Sequence, residues 1–267
     1  MYDQFTNNAI YLNMLLPTML PREIFDAIEK DSRKLYIRKD KIYPKVVKFF
    51  RKAKAFPASY VDEYLIPSTN NKHIAYYYAR NYNEAERPAY QFFTEMFDKT
   101  ERFIIKTVKM GYNHTPESKT VMLPIVEVYT SHFFQRYNER FLHKENIRTN
   151  EIAGLYFIRN GHGIPVELND KINRNFKDYG DSNTSGVKVN DGFCFVRRVL
   201  QGNFCGEGPN VTDKVEAMIM FYMTFMNESS MSDTQIKAIN EKYREVLYYN
   251  MKVLSNISRT QRLVIKK

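Results

Sequence analysis

The chain has no tryptophan and only two cysteines, Cys194 and Cys205. Two thiols cannot build the disulfide framework of a small secreted scaffold, and their spacing excludes a Cys-x-x-Cys metal or redox pair. The simpler expectation is a reducing, cytoplasmic setting with both thiols structural and buried. No run of eighteen apolar residues occurs, so no transmembrane helix is expected and no membrane partner is implied. The first eight residues are polar, and Asp3 precedes any lysine or arginine, so no secretory signal is read. Also missing are a GxxxxGK[ST] phosphate loop, a GxGxxG turn, an HExxH pair and a DxD cluster. The five histidines do not stand at metal-ligand spacings from carboxylates. No metal and no cofactor is therefore expected. No internal repeat or low-complexity block is present.

What the chain does have is aromatic content and positive charge. Twenty tyrosines and nineteen phenylalanines stand among 267 residues that are 43% hydrophobic. This is enough for one large domain or two small ones with a true core. Surface tyrosines also suit stacking on bases or gripping a protein. The formal net charge is +10. Between Arg33 and Lys54 ten basic residues face one acid, Asp40, so nearly the whole imbalance sits there. Such a stripe attracts polyanions, although a solvated helix face carries the same pattern.

Periodicity gives an α+β reading: a helical N-terminal region, then a mostly antiparallel sheet with an inserted helix pair, then a C-terminal helix. Residues 1–66 are expected as the basic helical region, 67–255 as the α+β domain and 256–267 as a frayed basic tail. Pro21 suits a helix start. Val46, Phe49, Phe50 and Ala53 then face away from Lys45, Lys48, Arg51 and Lys52. Pro57 and Pro67 bracket what reads as an irregular connection. Ile74–Ala79 reads as a strand. Tyr90–Phe97 and Arg102–Val108 form a hairpin, and residues 110–118 a loop. The stretch 120–129 is a strand that Pro124 consigns to an edge or a bulge. Thr130 or Ser131 caps one helix and Thr149 a second, which ends at Asn160-Gly161. Asn190-Asp191-Gly192 marks the clearest hairpin. Val215–Met226 is a long strand, and Ser232 with Gln235 makes a capping box.

One dodecapeptide, Thr130 to Phe141, carries the chemistry. It places His132, Arg136 and Arg140 on one face of an amphipathic helix. A histidine near free helix amides, with two arginines a turn and two turns further on, has the parts of a metal-free phosphodiesterase site: a base and cations for a pentacovalent phosphate. An ordinary polar helix face has them too. Arg197 and Arg198 follow each other in a strand and point to opposite faces. If that strand is central, one of them needs an anionic partner; an edge strand would let both reach solvent. Tyr222 and Thr224 read as sharing a face and offering hydroxyls.

The run Ser131-His132, Arg136, Arg140, then Ile147, Glu151-Ile152 and Asn160-Gly161 resembles the opening of toxin-like domains of the barnase/EndoU/colicin/RelE superfamily. It is nearest to the S-H-A-x-x-R-x-x-x-R-G-I-S-x-x-D pattern of phage and toxin–antitoxin proteins. Phe133 stands where the small residue is usual, Lys144-Glu145-Asn146 where the glycine follows, and residues 162–186 are an insertion. The resemblance covers at most about a third of the chain. It implies a metal-independent ribonuclease with His132 as acid/base and Arg136, Arg140, Arg198 and Thr224 about the phosphate. The basic helix (Lys41, Lys45, Lys48, Arg51, Lys52) would track nucleic acid, RNA more readily than DNA. The alternative is a non-catalytic binding or structural protein whose basic helix meets nucleic acid or an acidic protein.

Overall fold

A computed structural model of the chain describes residues 15–98, 101–112, 121–161, 163–172, 184–203 and 214–264. Its centre is a nine-stranded sheet in the order β1-β2-β3-β4-β5-β9-β8-β7-β6. The strands are β1 (Ala58–Ile66), β2 (Asn71–Ala79), β3 (Ala89–Asp98), β4 (Glu101–Tyr112), β5 (Val121–Thr130), β6 (Ile164–Val166), β7 (Thr184–Val189), β8 (Gly192–Asn203) and β9 (Lys214–Met226). The helices are α1 (Pro21–Arg51), α2 (Ser131–Tyr137), α3 (Thr149–Arg159) and α4 (Asp233–Val264). This is the α+β plan expected from periodicity. Two antiparallel meanders, β1–β5 and β6–β9, meet at one parallel ladder in which Ile125 opposes Met218 and Tyr129 opposes Tyr222.

Alternation along the strands divides the core. Ile104, Ile125, Tyr129, Met220 and Tyr222 point to the face covered by α2 and α3. Ile105, Val126, Val128 and Ile219 point to the other face, under Ile24, Phe25 and Ile28 of α1. Further along α1, Ile42, Val46 and Phe50 pack on Tyr77 and Ala79 of β2. Ala238 and Ile239 of α4 cover Phe193, Phe195 and Met226.

Four local expectations need correction. The segment between Pro57 and Pro67 is β1, paired along its length with β2. The boundary expected after residue 66 thus falls in the turn between two paired strands. The strand containing Pro124 is central: β5 has β4 on one side and β9 on the other, and Pro124 stands one residue before the ladder to β9 begins at Ile125. Pro124 is thus outside the β9 ladder, while it opposes Lys109 within the β4 ladder. Helix α3 is capped one residue earlier than expected, at Arg148, whose N–H donates to Glu151 Oε2 at 3.2 Å. The expected tail is helical as far as Val264.

Most of the remaining expected signals fall where they were read. Thr130 Oγ1 accepts from Phe133 N at 3.1 Å and starts α2. Ser232 and Gln235 exchange hydrogen bonds at the start of α4. The 98–101 hairpin has Asp98 opposite Glu101. The Asn190-Asp191-Gly192 hairpin joins β7 to β8. The strand expected over 215–226 is β9. The loop expected over 110–118 begins later than read: Met110, Gly111 and Tyr112 belong to β4, and residues 113–118 lie outside the described residues.

Candidate functional site

The His132 face is present, but its groups are engaged with their own surroundings. His132 is exposed on the first turn of α2, and Arg136 Nε donates to its Nε2 at 3.4 Å. Arg136 also binds Glu139 at 3.0 Å, an i,i+3 pair in solvent. After Tyr137 the chain enters a π-helical turn, Asn138–Leu142, that closes on His143 in the left-handed region. Within it Arg140 turns inward and donates through Nη1 to the carbonyl of Phe225. Asn227 Nδ2 returns a bond to Arg140 O at 2.6 Å. Arg140 thus staples the helix pair to the end of β9.

The two strand candidates do not join them. Arg198 is exposed on β8 opposite Met220, so it shares the α2–α3 face. Strand β8 is interior, between β7 and β9, and both Arg197 and Arg198 are nonetheless exposed. Thr224 lies on the reverse face. A β-bulge shifts the register so that Phe195 opposes Thr224 while Val196 opposes Tyr222. The extra residue, Met223, inverts the alternation, and Tyr222 and Thr224 point to opposite sides. Among the described residues no hydrogen bond or ion pair links Arg198 or Thr224 to His132.

The basic helix behaves differently along its length. Arg38 makes a bidentate pair with Asp62 of β1, with contacts of 2.8 and 3.0 Å. Arg51 pairs with Glu86 at 2.5 Å. Lys41, Lys45, Lys48 and Lys52 are exposed and make no ion pair among the described residues. Their spacing of four, three and four residues lines them along one stripe of α1. Lys45 Nζ lies 6.0 Å from the ring centroid of Tyr60.

Polar groups that the sequence reading passed over are concentrated in the core. On the α1 side, Asp31 Oδ2 accepts from Thr69 Oγ1 (2.8 Å), Asn71 Nδ2 (2.9 Å) and the His73 ring (Nε2, 3.0 Å). The other His73 nitrogen meets Thr94 Oγ1 at 2.8 Å. An acid, a histidine and a hydroxyl in series resemble a nucleophile relay. Here all three are sealed in the core, and the chain of bonds ties α1 to β2 and β3. On the other side Glu95, fully buried, takes Arg102, Asn150 and Lys72 and anchors the start of α3. At the far end Asp191 accepts from Tyr137 (2.6 Å), Asn160 (2.9 Å) and both arms of Arg159 (2.8 and 2.7 Å). The hairpin turn is thereby locked to both helices.

A site with space for a ligand lies between these, beneath α3. A cavity of about 250 Å³ is walled by strands β4, β5, β7 and β9, by Tyr156 and Phe157 of α3, and by Gly161 and Gly163. Glu127 is one of its lining residues. Protein packs densely around this carboxyl, yet it keeps accessible surface, because it forms part of the cavity wall. Tyr129 donates to Oε2 and Tyr222 to Oε1, each at 3.1 Å. Burial raises the Glu127 pKa above the usual carboxylate value, against the opposing effects of Lys106 and the two hydroxyls. Lys106 is the cross-strand partner of Glu127 on β4. Its ammonium donates to Gln91 at 3.2 Å and sits 5.0 Å from the Phe157 ring centroid, and burial lowers its pKa. Below the cavity Cys194 touches Tyr156 Oη at 3.4 Å. Burial pushes that thiol up to about 12, so it is an inert neutral group. Cys205 lies outside the described residues.

A sequence signal for this site existed. Val121–Thr130 carries a single charge, Glu127, and the apolar run from Phe103 to Val108 a single lysine, Lys106, and period two puts Ile125, Glu127 and Tyr129 on one face. Among the described residues no three His, Cys, Asp or Glu side chains cluster as a metal ion would require. No described helix is long and apolar enough to cross a membrane. No family model, curated protein or solved structure matches the chain.

Proposed function

We propose that the protein is a non-catalytic nucleic-acid-binding component, working in the cytoplasm, whose outer α1 face follows a phosphate backbone. The observation that carries this reading is the stripe Lys41, Lys45, Lys48 and Lys52, exposed and without an ion pair among the described residues, while Arg38 and Arg51 beside it are spent on Asp62 of β1 and Glu86 of the β2–β3 connection. The four span about 16 Å of helix axis. Point charges on flexible stems read phosphate without reading bases. RNA is the favoured partner and an acidic protein surface the competing one.

The test is fluorescence anisotropy with single-stranded RNA and DNA oligonucleotides over a salt series. Binding is expected to weaken steeply with salt. In a Lys41→Glu, Lys48→Glu, Lys52→Glu variant the slope is expected to fall by about 2, at about 0.7 per lost phosphate contact. No binding by the wild type, or an unchanged slope in the variant, removes the reading.

A second reading, a metal-independent ribonuclease of the toxin-like group, is favoured by the contact between His132 and Arg136 and by the motif around it. It has less support, because Arg140 is committed to Phe225 and Thr224 faces away. RNA degradation in EDTA by the wild type that is lost in His132→Ala would replace the first reading with this one.

A further inference from the structure

We propose that the cavity beneath α3 is a binding site for a guanine-type base, a flat ring with two neighbouring N–H donors beside a carbonyl oxygen. The cavity lies on the α2–α3 face of the sheet, opposite α1, so the proposal stands apart from the polyanion reading.

The argument counts hydrogen-bonding capacity. An ionised carboxylate offers about four acceptor positions. Tyr129 and Tyr222 take one on each oxygen of Glu127. One position per oxygen is left, which suits two parallel donors in the ligand. Lys106 has three N–H donors and gives one to Gln91. It stands opposite Glu127 on the adjoining strand and lines the same cavity, so it offers a donor to a ligand held there. The complementary edge reads donor, donor, acceptor, which is the N1–H, N2–H and O6 edge of guanine. Adenine supplies one donor and one acceptor along the same edge. An amidinium or guanidinium has the two donors, but its charge would stand against Lys106, with no acceptor for the ammonium.

Size and walls agree with one flat ring system. About 250 Å³ is just below the span of small-molecule pockets, about 300–1,000 Å³. Tyr129 and Tyr222 stack at 4.1 Å between centroids, and Phe157 meets Tyr129 edge-on at 5.2 Å. These rings are 2–3% exposed and Tyr129 is stacked on both Tyr222 and Phe134, so they form a rigid aromatic wall rather than an open stacking face. Gly161 and Gly163 also line the cavity and present backbone there.

The experiment is isothermal titration of the full chain with guanosine, adenosine and benzamidine at neutral pH, with thermal unfolding in parallel. Guanosine is expected to bind at least about tenfold more tightly than the other two, because leaving a built polar group unpaired is costly. Glu127→Gln, which keeps shape, and Lys106→Met are each expected to weaken guanosine at least about tenfold. Far-UV circular dichroism and the unfolding midpoint establish that each variant is folded. If one fails to fold, the other carries the comparison. Absence of guanosine binding, equal affinity for adenosine, tighter binding of benzamidine, or folded variants that bind guanosine as the wild type does would each overturn the proposal.

Discussion

Tyr129 and Tyr222 stack face to face across the parallel β5–β9 ladder, 4.1 Å between ring centroids, and both hydroxyls point at Glu127. The pair holds a carboxyl group in the middle of the sheet. Two neutral hydroxyls are a weaker shell than water for a full negative charge, so burial dominates and the acid is harder to ionise in the fold than in the open chain.

A pH-dependent stability follows from that acid. Its folded pKa is raised, so its contribution to stability is present below the unfolded value of 4.5 and is lost as pH rises through the folded value. Glu127→Gln removes the ionisation while keeping the shape. Urea unfolding at pH 5 and pH 8.5 should show the variant gaining on the wild type as pH rises, by about 1 kcal/mol or more at the higher value. A constant difference across the range would contradict this.

The opposite sign applies to His73. Burial lowers its folded pKa in spite of Asp31. Its contribution is complete above the unfolded value of 6.5 and is lost as pH falls through the folded one. The wild type should weaken between pH 7 and pH 5, and His73→Gln should weaken less over that interval. At pH 7 His73→Ala is expected to cost about 2–4 kcal/mol, since it opens space in the core and strips a donor from Asp31. Denaturant midpoints at the two pH values decide the matter.

At the Asp191 turn, burial pushes the carboxyl pKa up, but bonds from Arg159, Tyr137 and Asn160 outweigh it and hold the group below its usual range. The contribution is present above the unfolded value of 3.8 and disappears as pH falls through the folded one. Asp191→Ala should cost about 2 kcal/mol at pH 7, discounted for the half-exposed Arg159. The loss should shrink in acid. Hydrogen exchange should quicken first in the β7–β8 turn and at the end of α3.

Gly154 tests packing against helix propensity. It lies inside α3, where alanine ordinarily gains about 1 kcal/mol over glycine. A Cβ there would run into the ring of Tyr76, which is fully buried on β2. Overpacking of a core costs about 1–3 kcal/mol, so the steric loss should exceed the propensity gain and Gly154→Ala should destabilise. A rise in the unfolding midpoint would show that α3 can lift from the sheet without penalty.

Turn and cap chemistry made much of the fold legible. Asn190-Asp191-Gly192 and the Ser232–Gln235 box act locally, and the structure realises both as read. Strand β1 was hidden because Asp62 and Glu63 interrupt its alternation; they are tolerated because Arg38 and Lys72 reach them from α1 and β2. The facing of Thr224 was hidden by one inserted residue, since a bulge leaves no mark in composition. Glu127 and Lys106 escaped notice for another reason. A charge inside an apolar strand reads as solvent-facing until the neighbouring strands are known, and the parallel partner β9 comes from the far side of the helix pair.

That parallel ladder has a kinetic consequence. Each meander pairs strands that are neighbours in sequence. The join between Ile125 and Met218 needs a contact across the whole intervening chain. Loop-closure entropy makes such contacts slow to form. The central seam is therefore expected to form after its two flanks, and Glu127 enters its low-dielectric surroundings only at that step. The rate of folding and the ionisation of a single acid are then coupled at one line of the sheet.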